Sequence, residues 1–351
     1  MIPLASPHNR MIFTAFSYYG IDDFSPEGMT TFLQHTADKC VDELEASSCI
    51  ELDETEGTII PTRLGHLASK YYLHHLTMRH FATHLTAQAS VEELLKVLAD
   101  CPEYEEIPVR HNENHTNRDL QRLVPLRLDD GSGGGGGAVD WESPHTKTHL
   151  LYQAHFSRAT VPVDYATDQL SVLESCIRIL QALLDFCMVK GWLRSSTNAM
   201  ILQQQMAQAR WYWDHPLLCL PHLREHSVEG IGWGMIVPRL QLEMGVYGVN
   251  MVPEGRVKSL ALRLMQKTIL EEAEAVDVIR ALVQWPLAKL SNVVIRSEGA
   301  NAEIPMSLSQ DEFQPLVELQ CGELYRLRVR LEILGPNRVG TTHLNIMNEL
   351  N

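Results

Sequence analysis

Three pairs of histidines fall four residues apart: His80 and His84, His111 and His115, His145 and His149. That spacing can set two imidazoles on one helix face, where they could share a metal ion. A zinc-protease helix also needs glutamate directly after the first histidine. In Arg110-His111-Asn112-Glu113-Asn114-His115 that place is held by Asn112, and no third ligand is obvious, so no metal site is expected. Nucleophiles fare no better. No serine sits in GxSxG, and no Gly-Lys-Ser or Gly-Lys-Thr closes a phosphate-binding loop. The acidic run Asp53-Glu54-Thr55-Glu56 lacks the apolar strand that leads into a metal-binding helicase box. Gly230-Ile231-Gly232 resembles a glycine hairpin whose amides hold a phosphate, yet no basic residue follows within six positions, which favours an ordinary loop. The seven cysteines show no CxxC spacing and read as reduced core thiols. Catalysis is not visible, and neither a cofactor nor a metal is expected in this chain.

The other candidate for chemistry is a line of polar side chains on an apolar helix. From Tyr165 to Leu193, the residues Leu170, Leu173, Ile177, Leu180 and Leu184 recur at alternating steps of three and four, which stacks them on one face. Val172, Cys176, Ile179, Leu183 and Phe186 widen that face. What is left is a narrow stripe of Ser171, Ser175, Arg178, Gln181 and Asp185. A helix buried on most sides and polar along one line belongs inside a bundle, with the line facing a groove, a channel or solvent.

The neighbouring elements follow from caps and periods. Ser143 with Pro144 at the first helical position opens a helix toward Ala159, and Pro162 stops it. Ser25-Pro26-Glu27 opens another through about Ser47, followed by a hairpin of Cys49–Leu52 and Thr58–Ile60; helix then hairpin is the back half of a winged-helix unit. One long helix is expected from Thr62 to Leu85, with Leu64, Leu67, Tyr71, Leu76 and Phe81 available for burial. Ser90 and Glu93 form a capping box ahead of a helix that ends near Asp100. A turn and a further helix are expected between Val109 and Pro125. The glycine-rich run of residues 129–138 reads as a flexible insertion. Helices are expected over Ala199–Asp214, Arg256–Met265 and Glu271–Gln284, the last two joined by a turn at Gln266–Leu270. Tyr325, Leu327, Val329, Leu331 and Ile333 alternate with charged residues and mark a half-buried strand, with Val293–Ile295 and Leu316–Leu319 as companions.

Composition narrows the function. The net charge of −15 excludes a protein that grips nucleic acid over its whole surface, because that binding relies on Lys and Arg releasing counterions. Any such contact must be local. No apolar run approaches the roughly 20 residues that span a bilayer, and no signal peptide opens the chain, so an intracellular protein is expected.

The stretches PTRLGHLASKYYLHHLTMRHF, IPVRHNENHTNRDL and SPHTKTHLLYQAHFSRA, with Lys190-Gly191-Trp192-Leu193, resemble the Brl domain, also called the Sec sixty-three homology domain. The version is similar to that in the C-terminal cassette of the helicase subunit of the activating signal cointegrator one complex, a Ski-two-like helicase. The resemblance implies a mostly α chain in four parts. Residues 1–60 would be a partial winged helix and 61–215 a Brl helical bundle; 216–290 would be a helix-hairpin-helix-like unit and 291–351 a partial fibronectin type III, immunoglobulin-like β-sandwich. It implies a non-catalytic module that guides single-stranded DNA or RNA past a ratchet-like bundle helix, with Arg178 on a phosphate and Ser171, Ser175 and Gln181 beside it. Its partners would be helicase motor domains and other cointegrator-complex subunits in nucleus and cytoplasm, with no membrane contact. ATP and Mg are implied only for a motor that this chain lacks. The competing expectation is a protein-interaction scaffold without nucleic-acid contact.

Overall fold

The computed structural model describes residues 25–53, 57–128, 139–228, 254–266, 268–284, 287–297, 303–306, 324–334 and 340–349. In chain order these form α1 (Pro26–Ala46), β1 (Ile50–Asp53), β2 (Thr58–Pro61), α2 (Arg63–Lys70), α3 (His75–His84), α4 (Val91–Ala99), α5 (Glu113–Leu123), α6 (Pro144–Phe156), α7 (Val163–Val189) and α8 (Leu193–Gln208). Beyond them lie the single turn α9 (Glu225–Val228), α10 (Glu254–Met265), α11 (Glu272–Gln284), β3 (Leu287–Ser297), β4 (Glu303–Met306), β5 (Leu324–Leu334) and β6 (Gly340–Glu349). The described protein is mostly helical. The glycine-rich run 129–138, Gly230-Ile231-Gly232 and the strand expected at Leu316–Leu319 lie outside the described residues.

Local chemistry sets the helix starts. Ser25, Thr62 and Ser143 each accept a backbone N–H at the first turn of α1, α2 and α6, and Ser90 and Glu93 close the capping box of α4. Gly65 is required by packing: a Cβ there would lie 2.1 Å from the carbonyl oxygen of Cys49, so α2 passes the foot of the β1–β2 hairpin only without a side chain.

The expected single helix from Thr62 to Leu85 is corrected to two. After α2, the N–H of Leu73 bonds the carbonyl of Ala68 at 2.9 Å and that of Tyr72 bonds Ser69 at 3.3 Å, the paired bonds of a Schellman helix end. Tyr72 accordingly sits in the left-handed region, with φ of 51°. A helix cannot continue through that residue, and the chain turns before α3.

Two separate cores form. The larger runs from Cys49 to Trp211 and is built on α7, whose Val172, Cys176, Ile179, Leu183 and Phe186 are fully buried. Burial is uneven across the apolar face read from periodicity: Leu180 is fully buried and Leu173 and Leu184 are half-buried, but Leu170 is 59% exposed and Ile177 40% exposed. Helices α2, α4, α6 and α8 pack against α7 and decide which of its apolar residues are covered. The second core joins Leu217, Leu218, Leu220, Leu223 and Val228 to α10 and α11. β1 and β2 pair in an antiparallel hairpin, and β3–β6 form a separate antiparallel sheet in the order β4-β3-β5-β6, with a register shift in β3 between Ser291 and Val294.

A buried charge cluster fixes the start of α7. The Lys147 ammonium, with none of its side chain exposed, donates to Glu113 Oε2 and Asp168 Oδ2 at 2.7 Å and to the Pro108 carbonyl at 2.6 Å. Arg110 reaches the same two carboxylates, at 2.8 Å and 2.6 Å. The ammonium also lies 4.6 Å from the centre of the Tyr165 ring, whose hydroxyl donates to Asn117 Oδ1. Two cations face two anions, so the cluster is neutral and its polar atoms are paired, the condition under which charges survive burial. Burial alone would raise both carboxyls, but the hydrogen bonds from Arg110 and Lys147 outweigh it and hold Glu113 and Asp168 below the usual carboxylate range.

Candidate nucleic-acid interface

The polar line on α7 starts from exposed Ser171, whose hydroxyl bonds back to the Thr167 carbonyl at 3.3 Å, and runs through half-buried Ser175 to exposed Gln181. Arg178 lies between them, half-buried. Its Nη1 donates to the carbonyl oxygens of Tyr72 at 2.6 Å and Tyr71 at 3.3 Å, so this side chain closes the end of α2 onto α7. Asp185, one heptad further on, accepts from Lys70 Nζ at 2.8 Å and from the Tyr71 hydroxyl at 2.6 Å. The hydrogen bond to Asp185 raises the Lys70 ammonium above its ordinary value and keeps it charged. Burial together with the same carboxylate raises the Tyr71 hydroxyl, which stays protonated as the donor.

The four residues singled out in the sequence therefore share one helix face, but Arg178 is not alone there. Three groups that periodicity did not single out join it. Glu174 is exposed, and its position falls on the same line. Lys70, with 59% of its side chain exposed, arrives from α2 and neutralises Asp185. Tyr72 stands 86% exposed beside Arg178. Counting Arg178 and Lys70 against Glu174 and Asp185, the line has no net formal charge. Nothing in the sequence signals Tyr72, because a helix read straight through from Thr62 to Leu85 would give it no special backbone.

The histidines of two of the three pairs hydrogen-bond within the bundle. His80 Nε2 meets the Val97 carbonyl at 2.9 Å, His145 Nδ1 the Ala99 carbonyl at 3.0 Å, and His149 Nδ1 the Gln153 amide at 3.1 Å. Burial pushes His149 down to about 4, so it is neutral at physiological pH. His111 and His115 are exposed at the start of α5.

Residues 61–296 match the Sec63 Brl domain, a span that covers α2 to α11 and most of β3 and includes the entire α7 line. The chain belongs to the Sec63 Brl domain family. Activating signal cointegrator 1 complex subunit 3 of Mus musculus is 43% identical to this Brl protein over 213 residues, 60% of this chain and 9% of that protein. The U5 small nuclear ribonucleoprotein 200 kDa helicase of Homo sapiens is 32% identical over 322 residues, 91% of this chain and 13% of the relative. The DExH-box ATP-dependent RNA helicase DExH14 of Arabidopsis thaliana is 38% identical over 196 residues, 56% of this chain and 9% of its own length. The chain thus spans about a tenth of the curated relatives it matches. Two of the stretches that carry the Brl resemblance, IPVRHNENHTNRDL and SPHTKTHLL, contain Arg110, Glu113, Asn117 and Lys147, so they encode the buried cluster that anchors α7. Among the described residues no helix is long and apolar enough to cross a membrane.

Proposed function

We propose that this Brl protein is a non-catalytic module of a Ski-two-like nucleic-acid helicase, guiding single-stranded DNA or RNA along α7 and modulating the motor. The observation that carries this reading is the partly exposed polar line of Ser171, Ser175, Arg178 and Gln181 on the longest described helix of a Brl domain related to helicase subunits. Arg178 makes both of its hydrogen bonds through Nη1, and the guanidinium fork offers further donors to a phosphate. The pairing of Asp185 with Lys70 compensates one of the two negative charges on the line.

The division of the chain follows the same reading. α1 with the β1–β2 hairpin suits the back half of a winged helix, residues 61–215 the bundle, 216–290 a helix-hairpin-helix-like unit, and β3–β6 one layer of an immunoglobulin-like sandwich. ATP and Mg would act in motor domains supplied from elsewhere, and the partners would be that motor and fellow subunits of a cointegrator-type complex in nucleus and cytoplasm.

The second reading, a protein-interaction scaffold, draws on α1. This helix of 21 residues has no buried side chain although it carries Met29, Phe32, Leu33 and Val41. The deciding experiment joins the chain to a helicase motor cassette and compares the wild type with Arg178→Ala. The expected result is slower unwinding and a salt slope reduced by about one counterion. Unchanged unwinding and strand affinity reject the Arg178 contact, and retention of protein partners without any strand binding makes the scaffold the function.

A further inference from the structure

We infer that Tyr72 is a stacking platform for one base of the single strand. The inference rests on the proposed strand path along α7 and assigns the contact that holds the strand there. Tyr72 stands 86% exposed, with its backbone bonded to the central residue of the polar line.

Three observations converge on this residue. The first is its backbone. Tyr72 occupies the left-handed position of a Schellman helix end, where glycine is the residue free of strain, yet a tyrosine stands there at φ of 51°. Strained positions of this kind persist where the surroundings over-determine them, and they concentrate at functional sites. The second is the grip on the turn. Arg178 bonds the carbonyls of Tyr71 and Tyr72, while Asp185 bonds the side chains of Lys70 and Tyr71. All three residues of the turn are tied to α7, and the ring of Tyr72 is carried on a held backbone. The third is charge. With Arg178 and Lys70 balanced by Glu174 and Asp185, the line has no net formal charge, so a phosphate contact at Arg178 leaves most of the strand affinity to a contact that charge does not supply. An exposed phenol ring supplies it, since every base has a π-face and base–aromatic stacking is tolerant of sequence.

The test uses the full 351-residue chain and fluorescein-labelled oligothymidylate and oligouridylate, alongside a strand of the same length built of abasic sugars. Anisotropy titrations at low salt compare the wild type with Tyr72→Gly and Tyr72→Trp. The wild type is expected to bind a base-bearing strand, Tyr72→Gly to bind it roughly tenfold more weakly, and Tyr72→Trp to retain binding. On the abasic strand, wild type and Tyr72→Gly are expected to be alike. In the same preparations the unfolding midpoint of Tyr72→Gly is expected to match or exceed that of the wild type, because glycine adopts the left-handed turn without strain. A wild type that binds neither base-bearing strand overturns the strand path and this inference with it. Binding that Tyr72→Gly leaves intact, or weakens equally on the abasic strand, overturns the stacking assignment alone. So does a weakened Tyr72→Gly whose midpoint has fallen, since that outcome marks a structural residue.

Discussion

Arg178 and Asp185, seven residues apart on α7, hold the same turn of α2: the guanidinium of Arg178 donates to the Tyr72 carbonyl at 2.6 Å, and the carboxylate of Asp185 accepts from the Tyr71 hydroxyl at 2.6 Å. An i to i+7 pair returns to nearly the same helix face, so one line of α7 both fixes the turn and lies beside its exposed ring. The proposed strand path and the packing of α2 on α7 therefore share the same two side chains.

Asp185→Asn tests how much of that grip is electrostatic. Lys70 is well exposed, and exposed ion pairs contribute little, so the loss in unfolding free energy is expected to be small. Urea denaturation of the two proteins measures it. A loss several times larger would make the pair a structural anchor.

Lys147→Met addresses the buried cluster. It leaves Glu113 and Asp168 facing each other with Arg110 as their remaining cation, and removing one member of a buried ion pair costs about 3–5 kcal/mol. The expected outcome is a large fall in denaturation midpoint, with α7 losing amide protection near Asp168. A change within error would show that the pocket relaxes around methionine.

Acid sensitivity has a specific source in His149. Its folded value is depressed from 6.5 to about 4, so the unfolded chain binds a proton in that range that the folded chain refuses. Stability is therefore full above pH 6.5 and falls as the pH drops toward 4, by up to about 3 kcal/mol. Glu113 and Asp168, depressed below ordinary carboxylates, add their own loss at lower pH as they are protonated. Unfolding free energy measured across this range is expected to lose part of its slope between pH 6.5 and 4 in His149→Gln, the rest coming from His75 and His80, which burial also lowers. An unchanged slope would assign the acid sensitivity to other groups.

Two apolar residues of α7 give opposite expectations for one chemical change. Leu183→Ala empties a fully buried position and is expected to cost about 2–5 kcal/mol, whereas Leu170→Ala, at a site 59% exposed, is expected to cost under about 0.5 kcal/mol. Thermal melts of both variants report the order directly. Equal losses would mean that Leu170 is covered in solution.

Much of the local structure was readable because its causes are local. Ser25, Ser90 and Ser143 lie within three residues of the backbone groups they cap, and the alternation of Tyr325, Leu327, Val329 and Leu331 announces β5 from one segment alone. The polar line was readable too, since Ser171, Ser175, Arg178 and Gln181 are separated by helical steps. The Brl stretches already pointed, by resemblance, to a mostly helical protein related to helicase subunits.

Tertiary structure decided the rest. Periodicity finds a broad apolar face on α7, but which part of it is fully buried depends on where α4, α6 and α8 lie. A break at Tyr72 is invisible in a sequence that lacks glycine there, because the left-handed turn is held by Arg178 from 106 residues away. The same holds for the cluster around Lys147, whose partners Glu113 and Asp168 stand 34 and 21 residues distant along the chain. Sequence determines which side chains share a helix face through steps of three and four. Only the folded chain sets a charge from one segment against a carbonyl or carboxylate of another, because that contact depends on geometry closed over long loops.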